Sequence, residues 1–97
     1  MLYGEPKTTF WQDFTIADTF GIGAIKDTYK RAFDEWHENT EYITELVVVL
    51  NHKLWQHYER GDERKAKLYN ELWQKADSWC MEHLQGEDLR YYFNVTD

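Results

Sequence analysis

Histidine and cysteine are the side chains most readily recruited for metal binding or proton transfer, and this chain holds four of the first and one of the second. His52 and His57 stand five apart. On a helix that spacing sets them about 140° apart around the axis, too far for one metal ion to take both. Cys80-Met81-Glu82-His83 places a thiol and an imidazole three residues apart, on one helix face, which supplies two ligands where a zinc site needs at least three. His37, His52 or His57 would have to complete the set from across the fold. The same Cys80 and His83 could act as nucleophile and base. Against this, Cys80 lies on an apolar stripe beside Ala76, Trp79 and Leu84, where loss of water raises a thiol pKa and quenches its reactivity. No Glu-x-x-His pair and no His-Glu-x-x-His motif occurs. The reading is therefore non-enzymatic, with no catalytic residue, no metal and no cofactor.

Carboxylates cluster once. Asp34, Glu35, Glu38, Glu41 and Glu45 gather around the corner between two expected helices as an acidic pole. The ordinary meaning of such a corner is a solvated turn; the functional one is a surface that presents phosphate-like charge to a basic partner. Across the 97 residues, 18 acidic side chains oppose 11 basic ones, a formal charge of −7. That balance argues against direct binding to nucleic acid or to an anionic membrane. Arg60, Arg64, Lys65 and Lys67 form the one basic cluster, but Asp62 and Glu63 interrupt it, so it reads as a solvated face rather than a phosphate site.

Aromatic residues number 17, five of them Trp. Most recur at helix spacing, which describes a core: large rings let a short chain bury much area without disulfide or metal staples. Tyr29, Phe33, Trp36, Tyr69, Trp73 and Trp79 are assigned to packing in this way. Trp11, Trp55, Tyr58 and Tyr91 fall at or beyond the edges of the stripes. Exposed Trp and Tyr are enriched at the energetic centres of protein interfaces, so these four are the candidate partner-binding residues.

The elements that must position these groups are all helical. Thr9 opens the first, expected over Phe10 to Phe20, with Gln12 reaching back in a capping box; Phe10, Phe14, Ala17 and Phe20 form its apolar face, and Gly21 closes it. A second helix from near Gly23 to near Glu38 carries Ile25, Tyr29, Ala32, Phe33 and Trp36 inward, with Asp27/Arg31 and Lys30/Asp34 as candidate surface pairs. Asn39 and Thr40 are both plausible caps for the third helix, about Glu41 to Arg60, whose face is Ile43, Leu46, Val47, Leu50, Leu54 and His57, widened by Tyr42 and Val49. Val47-Val48-Val49 is strand-like in composition, but unbroken helical spacing from Thr40 to Arg60 decides for helix. Gly61 and the capping carboxylate of Asp62 make a tight turn into a fourth helix, Glu63 to about Leu84, antiparallel to the third. Its face is Ala66, Tyr69, Leu72, Trp73, Ala76, Trp79, Cys80 and His83, and Gly86 is expected to end it. Glu87 to Phe93 then reads as one or two helical turns folding back on the bundle, or as a terminal extended segment.

The expectation is thus an all-α, single-domain bundle over residues 1–97: four main helices, a short C-terminal fifth, and an irregular lead-in over residues 1–8 around Pro6. The longest uninterrupted apolar run, Leu46 to Leu50, is far short of the roughly 20 residues needed to cross a bilayer. One unpaired cysteine and no charged-then-apolar leader point to the cytoplasm.

Three segments, Thr9-Phe10-Trp11-Gln12-Asp13-Phe14-Thr15-Ile16-Ala17-Asp18, Lys26-Asp27-Thr28-Tyr29-Lys30-Arg31-Ala32-Phe33 and Tyr42-Ile43-Thr44-Glu45-Leu46-Val47-Val48-Val49-Leu50-Asn51, carry a resemblance that extends from Thr9 to Asp97. The chain resembles a family of small proteins encoded on conjugative or phage-like elements of gut bacteria, a family with no assigned activity, ligand or catalytic residue. The resemblance implies a context, an accessory protein of a mobile element, and no residue role. Together with the aromatic excess it leads to a protein-interaction module, with a homodimer as one form. The alternative is an acidic nucleic-acid mimic that inhibits a host nucleic-acid-handling enzyme.

Overall fold

Three glycines with positive φ, Gly21 (109°), Gly61 (78°) and Gly86 (58°), mark most of the places where the backbone leaves helical geometry. Between them the computed structural model, which describes residues 8–97, is helical in five segments: α1 (Phe10–Phe20), α2 (Ile22–Trp36), α3 (Thr40–Glu59), α4 (Glu63–His83) and α5 (Gly86–Thr96). No strand occurs among the described residues. The Val47-Val48-Val49 run lies inside α3, and the all-α expectation holds. The lead-in expected over residues 1–8 lies, apart from Thr8, outside the described residues.

The turns explain the connectivity. After α3 the Gly61 amide donates to the Tyr58 carbonyl (3.1 Å) and the Asp62 amide to that of His57 (2.9 Å), a left-handed closure that satisfies the last carbonyls of the helix. Asp62 then accepts from the Lys65 amide (3.1 Å) and caps α4, so three residues, Arg60, Gly61 and Asp62, reverse the chain. The resulting α3/α4 hairpin is the most extensive interface of the fold, and α3 also touches the other three helices. Asn39, in extended geometry, is the cap of α3, accepting from the Tyr42 amide at 3.1 Å. That commitment ends α2 at Trp36, two residues short of the expected Glu38.

Buried apolar residues converge on α3 from every side. Phe10, Phe14 and Ala17 arrive from α1, Ile25 and Ala32 from α2, Leu68, Tyr69, Leu72, Ala76 and Cys80 from α4, and Tyr92 from α5, around Ile43, Leu46, Val47, Val49 and Leu50. Each fully buried Leu, Ile, Val or Phe removes apolar area worth about 1.5–3 kcal/mol from water. Tyr29, Phe33, Trp36, Trp73 and Trp79 are half-buried and packed against this core, as their spacing required. Phe33 stacks on Tyr29 and His37 and meets Trp79 edge-on at 5.7 Å, joining α2 to α4 through rings.

Several expectations are corrected. The capping box at Thr9 is not formed: its hydroxyl donates to the Asp13 carboxylate at 2.8 Å instead. Phe20, placed on the inner face by spacing, is 77% exposed, because Gly21 turns the chain immediately after it and no described helix passes over that end. His83 is exposed, its ring lying on Trp79. The pairs Asp27/Arg31 and Lys30/Asp34 do not close: among the described residues both ion-pair contacts belong to Asp18. Gly86 does not end α4, which stops at His83 when Leu84 turns extended and tucks its side chain into the core. Gly86 instead heads α5, which at 11 residues makes about three turns rather than one or two. Its length follows from Tyr92, which is buried and donates its hydroxyl to Asp77 of α4.

Candidate functional site

The four rings left over by the sequence patterns come to lie along α3, in three different situations. Trp11, on α1, is 39% exposed. Its indole donates to Glu45 Oε1 at 2.7 Å, and its ring meets His52 edge-on at 5.0 Å. Tyr91, on α5, is half-buried rather than exposed; burial, together with the charges of Glu41 and Glu45, raises its hydroxyl pKa. Trp55 and Tyr58 are different. They are 54% and 65% exposed, and they hold each other edge-to-face at 5.7 Å.

α5 is the reason. It runs alongside α3 in the same direction, Tyr91 lying near Glu41 and Glu45, and its last residues, Val95 to Asp97, share a cleft with Val47, Val48 and Asn51. Trp55 follows Asn51 by one helical turn and Tyr58 by two, past the end of this cover. Both rings therefore stand on the outer face of α3 with nothing described above them. Because they lean on one another, they are partly ordered before any partner arrives, which lowers the entropy lost on binding.

The acidic corner divides into two parts. Asp34, Glu35 and Glu38 are exposed and make no ion pair with a described residue. Glu41 and Glu45 are half-buried; Glu45 accepts from Trp11, and the charges of both act on Tyr91. Cys80 is fully buried, and burial, helped by the nearby charge of Asp77, pushes its thiol up to about 12, which leaves almost no thiolate at neutral pH. His83 directs Nδ1 to the Trp79 carbonyl at 2.9 Å. Among the described residues, no group of three His, Cys, Asp or Glu side chains is arranged to hold a metal ion.

One cluster has no counterpart in the sequence patterns. Lys53 is only 5% exposed, and its ammonium donates to Asp18 Oδ2 (3.2 Å), Thr15 Oγ1 (3.1 Å) and Gln56 Oε1 (3.4 Å), which uses all three of its hydrogens. Tyr69 donates to the other Asp18 oxygen at 2.5 Å, and Lys65 donates to the Asp18 backbone carbonyl at 2.8 Å. His57, 4% exposed and stacked flat on Tyr69, brings Nε2 to 3.1 Å from Asp18 Oδ2. The angle there is not that of a hydrogen bond, so Nε2 remains a buried nitrogen without a directed partner. Burial by itself would raise the Asp18 carboxyl. The Tyr69 and Lys53 hydrogen bonds, the Lys53 charge and the His57 contact outweigh it and hold the group below its ordinary value.

Two charged residues at apolar positions of the sequence mark this cluster. Lys53 interrupts the stripe Leu46, Leu50, Leu54 and His57 at a core position, and Asp18 stands four residues after Phe14 on the apolar face of α1. Two opposite charges at core positions of two helices suggest one another. Compared with known proteins, the chain matches no family model, no curated protein and no solved structure.

Proposed function

We propose that this protein is a non-enzymatic protein-interaction module whose working surface is the uncovered outer face of α3. The observation that carries the reading is the Trp55/Tyr58 pair, the two most exposed of the described Trp and Tyr residues. Such rings provide large contact area with few rotors to freeze, which is why they concentrate binding energy at interface centres. Trp11, fixed by Glu45 and His52, extends the surface toward α1; Tyr91, half-buried, supports its other edge. The partner is a protein, with a second copy of this chain the first to test, and the reading calls on no cofactor, nucleic acid or membrane. No described helix is long and apolar enough to cross a membrane. The resemblance of the segments from Thr9 to Asn51 to proteins of mobile genetic elements supports an accessory role inside a bacterial cell.

Light scattering across a dilution series tests the homodimer form, comparing the natural chain with Trp55→Ala/Tyr58→Ala. Self-association abolished by the double substitution is the expected result. A chain that is monomeric throughout, and whose captured partners are the same with and without the two rings, removes the reading.

A second reading, the acidic mimic of nucleic acid, is favoured by one observation: Asp34, Glu35 and Glu38 are exposed without an ion pair among the described residues. Salt separates the two. A charge-mimic complex dissociates as ionic strength rises and is lost on neutralising the three acids, whereas a ring-centred interface persists.

A further inference from the structure

α1, α3 and α4 meet around a polar cleft of about 350 Å³, on the side of α3 opposite the exposed rings. Its floor is the Asp18, Lys53 and His57 cluster described above; its walls are Thr15 and Thr19 of α1, Gln56 of α3, Arg60 just beyond α3, and Lys65 of α4. Three cations, Lys53, Arg60 and Lys65, thus surround one carboxylate in a chain whose formal charge is −7. The end of α3 and the start of α4 adjoin here, so their opposed dipoles offset one another and the side chains set the local field.

The polar groups of the cleft divide into spent and unspent. Asp18 has both oxygens engaged, Oδ1 by Tyr69 and Oδ2 by Lys53, and its side chain is largely covered. Lys65 uses one ammonium hydrogen on the Asp18 backbone carbonyl, leaving two of three. The Arg60 guanidinium and the Gln56 side-chain amide donate to no described residue. His57 Nε2 is buried at the floor without a hydrogen bond. Unspent N–H groups on two elements, aimed into one cleft of net positive charge, suit an oxyanion that accepts from several directions at once.

We propose that this cleft binds the phosphate group of a small polar ligand, held by Arg60, Lys65 and Gln56. The phosphate takes the unspent donors of these three residues, while the Lys53 ammonium supplies positive potential from below. The volume exceeds what a lone phosphate fills and lies within the range of small-molecule sites. The walls beside the phosphate are hydroxyl and amide groups, with no Phe, Tyr or Trp among them. The one ring of the lining, His57, is buried and already stacked on Tyr69, and the Arg60 guanidinium is engaged by the phosphate, so the remainder of the ligand is a polyol or sugar rather than a nucleoside. The basic cluster of the sequence is in this way divided: Arg60 and Lys65 belong to the cleft, whereas Arg64 and Lys67 are exposed outside it.

Isothermal titration calorimetry on the full chain at constant ionic strength tests this, with inorganic phosphate and glycerol 3-phosphate as probes and sodium chloride as the blank. The expected result is saturable one-site binding of at least one phosphate probe, the two arms distinguishing free phosphate from a phosphate ester. Arg60→Gln is expected to weaken it about tenfold, on the scale of one charge-assisted contact. Lys67→Gln, the same charge change outside the cleft, is expected to leave it within about twofold. Arg60 is exposed and its side chain bonds to no described residue, so Arg60→Gln remains folded and decides the matter even if a Lys65 substitution disturbs the Asp18 cluster. No saturable heat with either probe overturns the proposal, as does equal weakening by Arg60→Gln and Lys67→Gln.

Discussion

Along the second half of α3, Lys53 and His57 are buried while Trp55 and Tyr58 are exposed, an inversion of the usual preference of these residue types. The two faces differ in their neighbours. The inward face looks onto α1, whose Asp18 and Thr15 accept from the Lys53 ammonium alongside Gln56 of α3 itself, and onto α4, whose Tyr69 donates to the other Asp18 oxygen. The outward face looks onto α5, whose last residues reach only the level of Asn51. Covering an ammonium is tolerable where three acceptors wait for it. Leaving a Trp and a Tyr in water is tolerable where the helix that would cover them has ended. Burial in this protein is thus decided by what each stretch of α3 meets, and the identity of the side chain adapts to it or is put to use.

The comparison is broken most directly at Asp18. Asp18→Asn keeps the shape of the side chain but leaves the Lys53 charge buried without its counterion, and is expected to cost about 3–5 kcal/mol. Urea denaturation followed by far-UV circular dichroism measures this; a loss below about 1 kcal/mol would mean that the inward cluster contributes little to the fold. Tyr69→Phe is a narrower change. It keeps the ring stacked on His57 and removes one hydrogen bond to a carboxylate, for an expected loss of about 1.5–3 kcal/mol by the same measurement.

Acid should act on the inward face through the same carboxylate. Asp18 has a folded pKa below its ordinary 3.8, so its contribution is fully present above that value and is lost as pH falls through the lower, folded one. Melting temperature is therefore expected to drop as pH is taken below about 4, and Asp18→Asn, less stable at neutral pH, should show a shallower drop over that window. A variant whose acid profile parallels that of the natural chain would assign the acid sensitivity to other carboxylates.

The smallest stability effect belongs to the outward face. Trp55→Ala/Tyr58→Ala is expected to change unfolding free energy by no more than about 0.5 kcal/mol per site, while removing association. A thermal melt and light scattering on one preparation check both halves of that statement. A loss above about 2 kcal/mol would show that the rings serve packing after all, and the contrast between the two faces would collapse.

The helices themselves were legible because their causes are local. The stripe of Ile43, Leu46, Val47 and Leu50, the closure at Gly61 and the cap at Asp62 each depend on residues within a turn or two, and all appear where spacing put them. Local spacing could not say how far a neighbour extends. Phe20 and Trp55 are both large aromatic residues in the sequence, and Phe20 lies on a stripe that is otherwise buried; both are exposed, because no described helix passes over either. The acidic corner was visible as a cluster, but its division into exposed Asp34, Glu35 and Glu38 and half-buried Glu41 and Glu45 depended on where α1 and α5 came to rest.

By itself, then, the sequence determined that the chain is helical, where four of its helices lie, and that α3 and α4 pair as an antiparallel hairpin, since periodicity, glycine and capping act over a few residues. Only the tertiary structure decided that Asp18 meets a lysine 35 positions away, that Arg60 and Lys65 share a cleft with it, and that α5 leaves Trp55 and Tyr58 uncovered. Those outcomes depend on the relative lengths and positions of helices packed against one another, which no single stripe of side chains encodes.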